Sequence, residues 1–198
     1  MAGIVEFLFD VVSPTAYLAH KRLPDIAERT GATIVWTPIF LGGVMQATGN
    51  APPGKVPAKG KYMNRDMVRC AARFGIPFIL NEYFPVNTLP LQRAAVALLD
   101  EAGEAEYRRF IDTCFNAIWA DGLNMGDAAV AGDVLSKAGF DAETVLARAS
   151  DPTIKEKLKA NTDDAVARGV FGAPTFFVGE EMYFGQDRLD YVEAALTD

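Results

Sequence analysis

Hydrophobic residues near the amino terminus form a nearly unbroken run that gives way to a helical pattern. Five of the six residues from Ile4 to Phe9 are apolar, which is typical of a β-strand buried on both faces. After a short turn, small or apolar residues recur at helical spacing between residues 16 and 27. The pattern predicts a strand followed directly by a helix that starts at Ser13-Pro14 and ends at Gly31. Pro24 lies inside this helix and predicts a kink or a break there.

A second strand is predicted at residues 33–37, which are β-branched or aromatic and stop at Pro38. Strand, helix and strand within 37 residues form a unit in which the two strands should be parallel. Residues 42–61 then contain Gly-Gly, Gly-Asn and Pro-Pro-Gly together with three lysines. This composition predicts a long polar loop, and such loops in compact proteins are usually functional or disordered.

From there to about residue 168 the apolar residues follow helical spacing, and no strand is predicted. Asp127, Asp141 and Asp151 are predicted to cap helices in this block. The β pattern returns as a hairpin at residues 175–184, and residues 185–188 start a final helix.

This order of elements predicts an α/β protein built on a small mixed sheet. Residues 1–45 and 168–198 are expected to form the sheet domain. A connecting loop and an all-helical insertion, residues 46–167, are expected to interrupt it.

Composition excludes several classes of function. The net charge of −7 and the pI near 4.8 argue against nucleic acid or an anionic membrane as a partner. No apolar run approaches the ~18 residues of a transmembrane helix, and the first residues do not resemble a signal peptide, so we expect a cytoplasmic protein. One histidine and two distant cysteines, Cys70 and Cys114, leave no zinc or CxxC motif, and we expect no metal site.

Candidate chemistry is concentrated at Ser13-Pro14, because the first turn of a helix offers unpaired N–H groups and a positive dipole end to an anion. The alternative is that Ser13 is only an N-cap before a proline. Asn87 should lie near the start of another helix, which Thr88 is predicted to cap. Spacing alone favours the alternative that Asn87 is only a turn residue, since turn chemistry is sufficient to explain it.

Several motifs together carry a resemblance to a known family. They are Phe-Asp-Val-Val-Ser-Pro at 9–14, Leu-Gly-Gly-Val at 41–44, Ala-Thr-Gly-Asn at 47–50, Phe-Pro-Val-Asn-Thr at 84–88, the Gly-Ala-Pro-Thr-Phe-Phe stretch at 172–177 and Phe-Gly-Gln-Asp-Arg at 184–188. In this order they are similar to the 2-hydroxychromene-2-carboxylate isomerase family, which is related to kappa-class glutathione transferases. The resemblance implies a thioredoxin-like fold with the helical insertion of DsbA-like proteins, and it covers nearly the whole chain.

The resemblance also implies a glutathione site. Ser13, catalytic in this interpretation, would hydrogen-bond the glutathione sulfur and stabilise its thiolate. The backbone of Ala173, before a cis Pro174, would pair with the cysteinyl backbone. Gln186 and Asp187 would hold the γ-glutamyl end, and Asn50 would contact the tripeptide from the other side. Taken alone, Ala173-Pro174 could be an ordinary strand start and Gln186-Asp187 a helix cap.

The family reaction implied is cis–trans isomerisation of a small aromatic carboxylate in naphthalene-type catabolism, between 2-hydroxychromene-2-carboxylate and trans-o-hydroxybenzylidenepyruvate. Asn87, Tyr62 and the loop lysines are candidate donors to the substrate, and a homodimer is implied. Thr15 stands where an aromatic residue is common, and Gln46 where lysine is often expected. Two alternatives remain: a glutathione transferase or peroxidase acting on another electrophile, and a non-catalytic glutathione-binding protein. Disulfide exchange at the turn is disfavoured because no CxxC is present.

Overall fold

A four-stranded mixed sheet is formed from the beginning and the end of the chain. The computed structural model describes residues 3–197. The strands are β1 (Ile4–Phe9), β2 (Thr33–Pro38), β3 (Thr175–Val178) and β4 (Glu181–Phe184). They lie in the order β2-β1-β3-β4, with β1 parallel to β2 and β3 antiparallel to both β1 and β4. The predicted parallel pair and the predicted hairpin are therefore confirmed. Met1, Ala2 and Asp198 of the predicted sheet domain lie outside the described residues.

Nine helices occur in the described residues. They are α1 (Pro14–Thr30), α2 (Leu41–Thr48), α3 (Pro57–Phe74), α4 (Leu89–Glu101), α5 (Glu104–Trp119), α6 (Ala128–Lys137), α7 (Ala142–Arg148), α8 (Pro152–Ala167) and α9 (Leu189–Thr197). Short 3-10 turns span Pro53–Lys55 and Gln186–Arg188. The aspartate caps of α6, α7 and α8 are confirmed, because each carboxylate accepts a hydrogen bond from a backbone N–H in the first turn of its helix.

The predicted long polar loop at residues 42–61 is wrong. Helix α2 occupies its first half, and α3 begins at Pro57. The two glycines that suggested a loop instead allow close packing: a Cβ at Gly43 would lie 3.1 Å from the Phe40 ring and 3.3 Å from the Thr162 methyl. Of the kink or break predicted at Pro24, the break is absent, since α1 continues through it to Thr30.

Aromatic side chains join the sheet to the helices in one core. The Phe7 ring stacks on Phe9 and Phe176, at centroid distances of 5.1 and 5.3 Å, and meets Trp36 edge-on. On the helical side, the indole N–H of Trp119 donates to the Val11 carbonyl at 2.9 Å. The carboxyl end of β1 is therefore anchored to both layers. Among residues 3–197, no helix has the length and apolar character needed to cross a membrane.

Candidate active site

The turn between β1 and α1 has the structure that the sequence predicts. Ser13 is the N-cap of α1, in extended conformation, and its Oγ accepts the Ala16 N–H at 3.1 Å. Pro14 follows at the first helical position. The Ser13 carbonyl accepts the Tyr17 N–H at 3.0 Å. The N–H of Thr15, in the same first turn, has no hydrogen-bond partner among the described residues and is available to an anion.

The side chain of Asp10, at the start of this turn, holds the turn in place through hydrogen bonds. Its buried carboxylate accepts three hydrogen bonds, from the Val12 N–H at 3.1 Å, the Leu41 N–H at 3.0 Å and the Thr88 hydroxyl at 2.7 Å. Burial raises the pKa of the Asp10 carboxyl, and the three donors oppose that rise. The prediction that Thr88 caps α4 through its side chain is therefore wrong. Its hydroxyl instead connects the start of α4 to the turn.

The segment before β3 forms the opposite wall of the site. The Ala173-Pro174 peptide bond is cis, as predicted. The Ala173 carbonyl accepts the Ser13 hydroxyl at 3.0 Å and the Thr15 hydroxyl at 3.2 Å. The two hydroxyl oxygens are themselves 2.9 Å apart. Residues separated by about 160 positions in the chain thus form one hydrogen-bonded cluster.

The cluster continues from Pro174 to the start of the last helix. The Pro174 carbonyl accepts the Gly185 N–H at 3.0 Å, which places Gln186 and Asp187 beside it. The Gln186 side chain is buried: its Oε1 accepts from the Arg22 guanidinium at 3.1 Å, and its Nε2 donates to Cys70 Sγ at 3.4 Å. Asp187, in contrast, is exposed, and its carboxylate forms an ion pair with the guanidinium of the neighbouring Arg188 at 3.3 Å.

Asn50 reaches the same wall from the other side. Its amide N–H donates to the Phe171 carbonyl at 2.7 Å, two residues before Ala173. Ser13, Asn50, Ala173, Pro174, Gln186 and Asp187 are therefore connected through the segment at residues 171–174 and through the Gly185–Pro174 bond.

The two predicted substrate contacts are outside this cluster. Asn87 is exposed, and its side-chain oxygen accepts the Leu89 N–H at 3.3 Å, which is the geometry of a turn residue. It does adjoin Thr88, whose hydroxyl reaches Asp10. Tyr62 is exposed on α3, with the Arg69 guanidinium 5.5 Å from its ring centroid. Neither side chain contacts Ser13 or Ala173 through a described hydrogen bond.

Gln46, the position where lysine was expected, lies in a groove of about 680 Å³ between α2, α4 and α8. The groove is also lined by three cations and two carboxylates, of which Lys159 and Asp163 pair with each other: Arg93, Lys155, Lys159, Glu156 and Asp163. The Arg93 Nε is buried and lacks a hydrogen-bond partner among the described residues. A glutamine at position 46 therefore does not leave the groove without positive charge.

Sequence reasoning missed three residues that shape the site. Thr15 was noted only as a departure from the family pattern, although its hydroxyl shares the Ala173 carbonyl with Ser13. Arg22 was not singled out, yet its guanidinium also donates to the Gln186 carbonyl at 2.9 Å. Gln92, buried in α4, donates to the Phe9 and Ile39 carbonyls, both at 2.9 Å. A polar residue on an otherwise apolar helical face was the available signal for Gln92.

Neither cysteine lies at the helix start. Cys70 is half-buried and Cys114 is fully buried, and both are free thiols. Burial raises the pKa of the Cys114 thiol, which makes it unreactive. Within residues 3–197 no group of three or more metal-ligating side chains is present.

Comparison with known proteins places this geometry in a family. By its fold the chain is a thioredoxin-like protein of the DsbA type: a family model described as "DSBA-like thioredoxin domain" matches residues 4–197. The 2-hydroxychromene-2-carboxylate isomerase of Pseudomonas putida is 34% identical over 195 residues, covering 98% of this chain and 94% of that protein. That of Sphingobium xenophagum is 32% identical and covers both chains fully.

One solved structure and one further relative are also similar to this chain. A solved structure of 2-hydroxychromene-2-carboxylate isomerase matches with a TM-score of 0.87 at 32% identity, covering 98% of this chain and 94% of that one. Human glutathione S-transferase kappa 1 is 27% identical and covers 98% of this chain and 91% of that protein. The chain belongs to the 2-hydroxychromene-2-carboxylate isomerase family, and it is an isomerase.

Proposed function

We propose that this isomerase is glutathione-dependent and that glutathione binds between Ser13 and the Ala173-Pro174 segment. One observation carries the proposal: the Ser13 hydroxyl lies at the start of α1, 3.0 Å from the carbonyl that precedes the cis-proline. A helix start favours an anion, and a serine there can donate to a thiolate but cannot form a disulfide. The likeness to kappa-class transferases, which are named for glutathione, supports the same ligand.

The residues around the helix start fit glutathione. The exposed Asp187 carboxylate, which now pairs with Arg188, would pair with the γ-glutamyl ammonium, and the Ala173 backbone would pair with the cysteinyl backbone. To contact the tripeptide, the Gln186 side chain would leave its hydrogen bonds to Arg22 and Cys70. The Asn50 side chain would leave its hydrogen bond to the Phe171 carbonyl. The free Thr15 N–H adds a donor for the sulfur. This set supplies both a cation-binding carboxylate and an anion-binding helix start.

Bound glutathione would supply a thiolate that adds reversibly to a conjugated double bond, so that the bond can rotate. Ser13 would hold the sulfur anionic through its hydroxyl and the first turn of α1. The substrate, by the names of the relatives, is 2-hydroxychromene-2-carboxylate or a similar small aromatic carboxylate. Asn87 and Tyr62 would donate hydrogen bonds to the substrate oxygen on which negative charge develops. The positive charges of Lys55, Lys59 and Lys61 would stabilise the same oxygen.

Replacing Ser13 with alanine tests the proposal. It removes a hydrogen bond to a charged group, worth about 1.5–3 kcal/mol, so glutathione-dependent turnover should fall roughly ten- to a hundredfold. Asp127→Ala is the matched control, because Asp127 caps α6 by the same kind of bond. It should cost about 1 kcal/mol of stability and leave turnover per folded molecule unchanged. If Ser13→Ala behaves like this control, Ser13 is a helix cap and the proposal is wrong.

The likeness to kappa-class glutathione transferases gives a second candidate function, a glutathione transferase. A transferase would use the same thiolate but release a glutathione conjugate. Mass analysis of the product distinguishes them: an isomerised product without added glutathione supports the proposal, whereas a conjugate supports the transferase.

The homodimer that the resemblance implies fits the exposed apolar side chains of Ile79, Leu80, Tyr83 and Phe84, and size measurement in solution checks it.

A further inference from the structure

Two hydroxyl groups at the helix start share one carbonyl acceptor. Ser13 Oγ and Thr15 Oγ1 lie 3.0 and 3.2 Å from the Ala173 oxygen and 2.9 Å from each other. Each hydroxyl has a single proton to donate. Ser13 Oγ already accepts the Ala16 N–H, and its proton is directed to Ala173. The proton of Thr15 therefore has two acceptors within reach, Ser13 Oγ and the Ala173 carbonyl.

This arrangement matters because Ser13 cannot donate to two acceptors at once. If its proton turns to a sulfur anion, the Ala173 carbonyl loses that donor. A carbonyl oxygen has two acceptor positions, and the cysteinyl N–H of glutathione would occupy only one of them. Ala173 is only 8% exposed, so water would not readily replace the Ser13 donor at the other, and losing a hydrogen bond at a buried carbonyl is costly. The Thr15 hydroxyl, at 3.2 Å, can donate to the same carbonyl in place of Ser13.

We propose that Thr15 is a positioning residue that lets Ser13 donate its proton to the glutathione thiolate. Thr15 donates to Ser13 Oγ while Ser13 is bonded to Ala173, and to Ala173 when Ser13 turns to sulfur. The exchange moves hydrogen bonds only, and no covalent bond changes. Accepting from the Ala16 N–H also keeps Ser13 Oγ fixed during the turn, since that bond does not change. This inference rests on the proposed function, because it requires a thiolate at Ser13.

Thr15→Val tests the inference because valine keeps the branched shape and removes the hydroxyl. Glutathione is titrated to saturation on wild type, Thr15→Val, Thr15→Ser and Ser13→Ala, and the thiol pKa of the complex is read from thiolate absorbance across pH. Wild type should lower this pKa below the free value of about 8.5. Thr15→Val should raise it by about one unit relative to wild type, a tenfold loss of thiolate. Thr15→Ser should restore the wild-type value, which a packing role for the methyl group would not do.

The outcomes separate the inference from the function on which it rests. If wild type and Ser13→Ala show the same thiol pKa, Ser13 does not stabilise the thiolate, and both proposals are overturned. If Ser13→Ala raises the pKa while Thr15→Val keeps the wild-type value, the proposed function stands and the role of Thr15 is overturned. Thr15→Ala is measured beside valine, so that a folding defect in one variant does not decide the result. Thermal unfolding of each variant shows whether it is folded at the assay temperature.

Discussion

Replacing Gln92 with methionine should destabilise the protein, because this one side chain connects the carboxyl ends of β1 and β2. Gln92 is fully buried, and its Nε2 donates to the Phe9 and Ile39 carbonyls at 2.9 Å. Its Oε1 accepts the Val11 N–H at a longer 3.4 Å. Methionine has nearly the same length and flexibility but cannot donate to either carbonyl.

The three backbone groups lose unequal amounts. The Phe9 carbonyl keeps a second donor, the Ile39 N–H at 3.0 Å, so its loss is small. The Ile39 carbonyl keeps no described partner, and a buried acceptor left unpaired costs about 1–3 kcal/mol. The long Val11 bond adds a fraction of that amount. Burying a thioether instead of an amide offsets part of the loss, which leaves about 1–3 kcal/mol.

Thermal and urea unfolding measure this loss directly. For a chain of this length, about 1–3 kcal/mol corresponds to a fall in Tm of roughly 2–12 °C. Gln46→Met is the matched control: Gln46 is exposed on α2, so the same chemical change should stay within about 0.5 kcal/mol. A Gln92→Met protein as stable as that control would show that the two carbonyls do not depend on this side chain.

Two further predictions concern titration and thiols. Burial lowers the pKa of His20, the only histidine, and the hydrogen bond between its Nε2 and the Asp112 carboxylate opposes that fall. The unfolded chain then binds the proton more readily, so stability should decrease as pH falls through the unfolded value of about 6.5, by at most about 1.4 kcal/mol per pH unit. His20→Gln should flatten that slope in unfolding curves, and an unchanged slope contradicts the assignment. Replacing Cys70 and Cys114 with alanine should leave turnover per folded molecule largely intact; loss of turnover with retained folding would place the chemistry on a protein thiol.

Much of the fold was predictable because local patterns determine it. The apolar run of β1, the Ser13-Pro14 helix start and the aspartate caps each depend on residues within one turn of each other. Such short-range preferences are visible in sequence, and tertiary contacts here reinforce them. The cis bond at Pro174 came from the family resemblance and not from the residues themselves.

The errors share a different physical origin, namely contacts between distant positions. The first N–H of α2 is satisfied by Asp10, which lies 31 residues earlier, so the helix needs no local cap. Thr88 lost its predicted capping role to the same carboxylate, 78 residues away. A buried acceptor that collects donors from three segments cannot be recognised from spacing, because each donor looks like an ordinary loop or cap residue.

The position of sulfur follows from the same geometry. A cysteine at the start of α1 would be a stabilised thiolate, but Ser13 occupies that position, and Cys70 and Cys114 lie in α3 and α5. The features that favour an anion are nevertheless present without a cysteine: the positive end of the helix dipole and two hydrogen-bond donors, the Thr15 N–H and the Ser13 hydroxyl. A site that keeps the anion-binding donors and lacks its own sulfur is suited to a thiol that arrives with a ligand. In the proposed function the glutathione thiol would leave unchanged after each turnover, which agrees with an isomerisation, because that reaction has no net oxidation or reduction.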